Sequence, residues 1–385
     1  MKDKMLVITY QMNLGGVSIA ASNFVNQMKD DYQISMAVAV GGGELINRLP
    51  KNVEVKFLKS EKRSTDKKFI NKLKNRFVKI FLFGLRLIGF KNCLCKRFAK
   101  KNIKKNEEYD IVINNDMDMS KYSFGQCHLY AKFVKARTKI LVIHGDFVKN
   151  NYDQKFFKKE YLPVYDKIVL LSFAQQKVME EIYPNFKEKF TTIQNFENDE
   201  EIVKLSNEYE VEYPKDLINL VSVSRLCEVK AYSRTLKQII KLKNEGFKFC
   251  WHIIGDGELR DDLETFVKNN DLTDCVKFYG YRKNPYPFMK SADFLALLSY
   301  HESYGLVAIE SLICGKPVLL TRTIAADEIV TKEQGIVCEN SEEGVYQGLK
   351  DMFINYKQYQ KNTKEFKFNN LLVKNEYKNL FKDYR

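Results

Sequence analysis

The stretch HESYGLVAIESLICGKPVLL, residues 301–320, decides how the rest of the chain is read. The run ADFLALLSY before it reads as a buried strand, and GLVAIESLICGKP reads as the helix that follows. Glu302 then falls in the strand-to-helix turn, and Glu310 lies about two turns into the helix on a similar face. Ser303, Tyr304 and Gly305 open that helix, where unpaired backbone N–H groups and the helix dipole suit an anion such as a diphosphate. The Glu310 carboxylate can accept two hydroxyl hydrogen bonds side by side, as the diol of a ribose or hexose offers. The plain alternative is two solvated helix glutamates.

Around this stretch, strand-like runs alternate with helical ones. The first half carries KMLVITY, ISMAVAV, VEVKFL, YDIVINN, TKILVIH, KIVLLS and FTTIQN; the second carries LINLVSVSRL, KFCWHIIGDG, CVKFYGY, DFLALLSY and KPVLLT. Such alternation predicts parallel sheets built from βαβ units, and two successive sets predict two doubly wound domains facing a cleft. At 385 residues the chain is longer than one ordinary core allows. The acid-rich stretch NDEEIVKLSNEYEVEYPKD, residues 198–216, reads as the linker between a first domain, 1–197, and a second, 217–365. Residues 366–385 read as a terminal amphipathic helix.

The net charge of +14 sits in one place. Residues 59–105 hold 17 Lys and Arg against Glu61 and Asp66, so the remainder is close to neutral. Within this segment FVKIFLFGLRLIGF, residues 77–90, is too short and too charged to span a bilayer but suited to lie in its interface. Attraction of about 1 kcal/mol per cation near anionic lipid makes the segment a membrane anchor; a core-facing helix with a solvated basic side is the alternative. No nucleic-acid-binding motif accompanies the charge. The eight cysteines are scattered without a C-x-x-C pair, which argues against metal or disulfide frameworks and for a reducing cytoplasm. The opening MKDKMLVITY reads as a first strand, not a signal peptide.

Several other turns carry chemistry. Gly15 and Gly16 follow the first strand and permit close approach of a phosphate to backbone N–H groups, or form a simple tight turn. Arg225 and Lys230 follow LINLVSV at a strand's carboxyl end, where α/β folds place ligands. Two fixed cations there would stabilise charge building on a departing diphosphate more in the transition state than in the ground state; otherwise they are surface cations. His144 ends TKILVIH before Gly145 and Asp146, either as a structural residue or facing the cleft. Asp116 and Asp118 form a D-x-D triplet that could hold a metal–diphosphate pair, against which the two-domain layout argues. Gly255, Asp256 and Gly257 read as a strand-to-helix turn.

The chain resembles the retaining family-4 glycosyltransferases of GT-B fold. The resemblance rests on Glu302, Gly305, Leu306, Glu310, Gly315, Pro317 and Val318, on Arg225-Leu226 with Lys230-Ala231, and on GGVSIAASNFV, GGGELINRLP, KILVIHGD, IQNFEND and the NPYP run. Ala231 departs from the family's glycine. The resemblance implies two Rossmann-like domains, with the terminal helix returning to the first. It implies Glu310 on the nucleotide ribose, Glu302 near the transferred sugar, and the Gly305 and Leu306 amides with Ser303 and Tyr304 at the diphosphate. His144 would approach the donor sugar, Gly15 and Gly16 the donor phosphate and acceptor, Tyr281 and Arg282 the base, and Asn195 the hinge.

The resemblance is closest to members that build bacterial capsule or O-antigen polysaccharide. It implies a UDP-sugar or other nucleotide-diphosphate donor and a lipid-linked glycan acceptor, with no metal cofactor. The enzyme would sit in the cytoplasm, peripheral on an anionic membrane surface at the inner face of the cell membrane. Rival readings are a GT-B sugar-nucleotide epimerase and a non-catalytic sugar-nucleotide or membrane-binding protein.

Overall fold

The computed structural model describes residues 2–58, 101–104, 107–117 and 125–383. The first sheet contains β1 (Lys4–Thr9), β2 (Gln33–Val38), β3 (Glu54–Phe57), β4 (Glu108–Asn114), β5 (Lys135–Ile143), β6 (Lys167–Leu170) and β7 (Phe190–Thr192) in the order β3-β2-β1-β4-β5-β6-β7. The second contains β8 (Ile218–Val223), β9 (Phe249–Ile254), β10 (Val276–Gly280), β11 (Phe294–Leu297), β12 (Val318–Thr321) and β13 (Gly335–Cys338) in the order β10-β9-β8-β11-β12-β13. Every pairing between these strands is parallel. Helices cover both faces of each sheet, which is why the central strands read as unbroken apolar runs; β9 and β11 are buried at every position.

All twelve strand runs read from the sequence are strands. The thirteenth, β13, was not foreseen: its four residues GIVC lie at a sheet edge and are only half covered, too short to leave a pattern.

In each sheet the chain order reverses once, between β1 and β4 and between β8 and β11. The crevice outside the carboxyl ends of strands at such a reversal is where open α/β sheets take ligands. Gly15, Gly16 and Asp116 follow β1 and β4; Arg225, Lys230 and Glu302 follow β8 and β11.

The stretch read as a linker, between β7 and β8, contains a helix. Its acids open a helix, Asp199–Ser206, whose cap residue Asn198 accepts from the Glu201 amide. Asp199, Glu200 and Glu201 sit in the first turn, where negative charge is favoured, and Ile202 is buried. The terminal helix Asn370–Lys382 packs on the first domain. Tyr377 meets Phe24 at 5.0 Å and Phe196 at 5.7 Å, Phe381 meets Tyr32 at 5.6 Å, and Lys374 pairs with Asp31 at 2.7 Å.

The basic segment 59–105 lies outside the described residues apart from 101–104. Among the described residues no helix is long and apolar enough to cross a membrane.

Candidate functional site

The second-domain side of the cleft is built on the ends of β8, β9 and β11. Gly255, at φ +144°, and Gly257 lie so close to the backbone of Ser224 and Leu226 that a Cβ would fall 1.8 Å and 2.3 Å from their carbonyl oxygens. The Leu226 amide donates to the Asp256 carbonyl at 2.9 Å. The GDG turn is therefore a buttress for the loop that carries Arg225, and only glycine permits the approach.

Beyond that loop Lys230 forms an ion pair with Glu302, and the Ser299 hydroxyl donates to the same Glu302 oxygen at 2.7 Å. Lys230 and Glu302 are both half-buried, so the pair is shielded from water more than a surface pair would be. Ala231, where the resembling sequences carry glycine, adopts φ 54° and ψ 31°, the left-handed conformation that glycine takes without cost. The turn is kept, with the strain left in place.

Gly305, at φ 81° and ψ 47°, caps the helix Leu306–Ile313 in the left-handed region. Every side chain from Ala308 to Ile313 is buried. Glu310 is thus a carboxylate inside an apolar helix, 9% exposed, accepting from the Tyr286 hydroxyl at 3.1 Å. Burial pushes its pKa up to about 7, against the lowering effects of Tyr286 and Arg48. Glu302 and Glu310 do not share an environment: one is paired with a cation at the rim, the other is held by a phenol in the interior.

Glu197, at the end of the first domain, lies in the same region. It is 1% exposed, its Oε1 has no hydrogen-bond partner, and burial, with Glu310 and Asp199 nearby, raises its pKa well above the usual carboxylate range.

The first-domain side carries His144, which shares a 3.2 Å hydrogen bond with Asn115 Oδ1. Burial pushes its pKa down to about 4, so the ring is neutral at ordinary pH. Asp116 accepts from the Tyr10 amide at 3.3 Å, and burial raises its pKa to about 6. Its sequence partner Asp118 lies outside the described residues, among which no cluster of three His, Cys, Asp or Glu could hold a metal. A Cβ on Gly16 would stand 3.5 Å from Leu306 Cδ1, so the glycine loop approaches the start of the second-domain helix.

Hydrogen bonds join the two sides around Ser303 and Glu328. The Asp146 amide donates to Ser303 Oγ at 3.0 Å and Gln175 Nε2 to the Ser303 carbonyl at 2.8 Å. The amides of Phe173 and Ala174 donate to the two carboxylate oxygens of Glu328 at 2.7 and 2.8 Å. The Tyr304 side chain is buried in the core cluster that also holds Met5 and Phe24, so this residue can offer the cleft only its backbone.

Lys230 pairs with Glu302, Gly16 approaches Leu306, and Ser303 accepts from Asp146, two residues after His144. Arg225 is exposed and has no ion pair among the described residues, and Tyr281 stands 60% exposed at the end of edge strand β10. Sequence reading missed Asn115, Gln175, Glu197, Ser299 and Glu328 as members of this region. Only Tyr286, inside the NPYP run, carried a signal.

Comparison with known proteins bears out the fold. Over 99% of the chain the structure superposes on that of Anabaena Alr3699/HepE in complex with UDP and glucose, covering 100% of that chain, with a TM-score of 0.71 at 15% identity. The fold is GT-B.

Residues 206–367, essentially the second GT-B domain, match the family model described as "Glycosyl transferases group 1". The chain is 32% identical over 136 residues to the N-acetylgalactosamine-N,N'-diacetylbacillosaminyl-diphospho-undecaprenol 4-alpha-N-acetylgalactosaminyltransferase of Campylobacter jejuni, a match over 34% of this chain and 36% of that one. It is 33% identical over 128 residues to the GDP-mannose-dependent alpha-(1-6)-phosphatidylinositol dimannoside mannosyltransferase of Mycobacterium tuberculosis, over 33% of each chain. The matched stretch thus spans about a third of these relatives.

Proposed function

We propose that this protein is a retaining glycosyltransferase that moves a sugar from a nucleotide-diphosphate donor, a UDP-sugar, to a lipid-linked oligosaccharide or other glycan in bacterial surface polysaccharide synthesis. One observation carries the reading. The Lys230–Glu302 pair stands beside a glycine-capped helix start, with the buried carboxylate Glu310 in that same helix. A diphosphate, the sugar attached to it and a ribose diol are what a cation, a run of helix-opening amides and a buried carboxylate would recognise together.

In this reading Lys230 gives one N–H to Glu302 and has others left for the β-phosphate, with Arg225 free to join it. As the sugar–phosphate bond breaks, both cations and the helix N-terminus meet the growing negative charge. Their charge takes the place of a metal ion, so no metal cofactor is needed. His144, neutral, hydrogen-bonds the donor sugar from the first domain without acting as a strong base. UDP is the nucleotide held by the Anabaena structure, and the Campylobacter relative's name specifies a diphospho-undecaprenol acceptor; both support the donor and acceptor classes. The basic segment 59–105 would bring the enzyme to anionic lipid at the inner face of the membrane.

The test is turnover of radiolabelled UDP- and GDP-sugars on a polyprenyl-diphosphate-linked acceptor, with the anomeric configuration of the product read by NMR and EDTA present in a parallel series. Retained configuration and EDTA-insensitive transfer are expected. Donor binding without transfer would favour a non-catalytic binding protein. Loss of transfer in EDTA, restored by one divalent metal, would return Asp116 and Asp118 to consideration as ligands.

A further inference from the structure

The helix Phe173–Ile182 of the first domain ends against the second domain at two separate points. At its N-terminus the amides of Phe173 and Ala174 donate to the two oxygens of one carboxylate, Glu328, from the short helix Ala326–Ile329. One position further on, Gln175 is 3% exposed and uses both ends of its side chain. Oε1 accepts from the Leu171 amide at 3.1 Å, and Nε2 donates to the Ser303 carbonyl at 2.8 Å. Ser303 is held a second time, through Oγ, by the Asp146 amide. Ser303 is thus bonded at backbone and side chain by the first domain, although it belongs to the turn that opens the second-domain helix Leu306–Ile313.

We infer that Gln175 and Glu328 are positioning residues: a two-point clasp that locks the first domain onto the second and thereby sets the Ser303–Gly305 turn. The chemistry suits the role. A carboxylate at a helix N-terminus meets unpaired amides and the positive end of the dipole, so the contact is charge-assisted, and its exposure to water leaves it reversible. Gln175 is itself buried and its contact with Ser303 is partly so, so breaking it leaves an amide donor in the interior without its partner. The clasp therefore joins an exposed ionic contact to a part-buried one that holds the turn. The consequence for the donor rests on the nucleotide-sugar reading; the clasp itself does not.

Peptide-resolved hydrogen exchange on the full chain without ligand tests the clasp, and calorimetric binding of UDP tests its consequence. Glu328→Ala is expected to speed exchange at Phe173 and Ala174 about tenfold, as loss of a charge-assisted bond implies. It should also speed exchange at Asp146, which does not touch Glu328, while strands β1 and β8 keep wild-type protection. Glu328→Gln, which keeps one accepting oxygen, should recover part of the Asp146 protection. Gln175→Glu, a substitution of nearly equal size that removes the donor to Ser303, should loosen Asp146 and weaken UDP binding severalfold. Wild-type exchange at Asp146 in both Glu328→Ala and Gln175→Glu would overturn the clasp, whatever UDP does. Failure of UDP to bind the wild type would instead sink the nucleotide reading and leave the exchange data to decide the clasp.

Discussion

The rim around Glu302 and the interior around Glu310 are eight positions apart in the chain and are different electrostatic environments. At the rim a carboxylate, a lysine and a serine hydroxyl satisfy one another in partial contact with water. In the interior a carboxyl group has one phenol partner, a pKa pushed up to about 7, and a second buried carboxyl, Glu197, nearby. The contrast divides the labour. In the proposed reading, the charge that answers a departing diphosphate is kept at the rim, where the lysine is ion-paired. The same reading gives the grip on neutral hydroxyls to the interior carboxylate, where a hydrogen bond is worth more for want of competing water.

The largest way to break this comparison is at the rim. Lys230→Ala should lower kcat/KM by about a hundredfold or more, since it removes a transition-state cation and strands Glu302. Steady-state kinetics on the donor that supports transfer would show it, and a loss of under threefold would place the diphosphate elsewhere.

In the interior the effect should fall on binding instead. Glu310→Gln should raise the donor KM about tenfold with kcat little changed, the cost of replacing a charged acceptor. In the wild type the carboxylate gains a proton as pH falls through about 7 and then loses acceptor strength, so donor KM should rise as pH is lowered from 8 to 6. The Gln variant should be flat over that range. His144, at about 4, adds nothing to the profile above pH 5. A pH-independent wild-type KM would show that Glu310 does not meet the donor.

Glu197 sharpens the interior half through stability. Its folded pKa lies above that of an unfolded glutamate, so the folded chain holds a proton that the unfolded chain has released. The unfolded state then binds fewer protons, and stability falls as pH rises from the ordinary glutamate range towards the folded pKa. Glu197→Gln mimics the protonated form and removes that slope. Its melting temperature should exceed the wild type's at pH 8, with the gap closing towards pH 5. A gap independent of pH would mean that Glu197 is charged when folded.

The smallest effect is expected back at the rim. Ala231→Gly relieves a left-handed alanine, offset by the extra freedom glycine has when unfolded, for a net gain of about 0.5 kcal/mol. Denaturant titration would detect it, and a destabilised variant would show that the packing of the alanine methyl outweighs its strain.

Much of this architecture was present in local sequence. Parallel strands covered on both faces must be apolar throughout, so twelve of the runs could be read directly, whereas GIVC at the edge could not. Lys230, Glu302 and Gly305 were legible because a turn at a strand's carboxyl end needs particular residue types at fixed spacing. The acids of 198–216 also open a helix, because the residues that suit a solvated linker suit a helix's first turn as well.

What tertiary structure alone decided is environment and partner. Nothing near Glu197 in the chain marks it as buried, and nothing at Gln175 or Glu328 announces that they meet Ser303 and a helix 154 residues away. Hydrogen bonds and pKa shifts arise from groups that the fold brings within a few ångströms from distant parts of the chain. Periodicity and spacing determine which elements form and which way their ends face; only the docking of one domain on the other determines which carboxylate keeps its charge and which amide finds it.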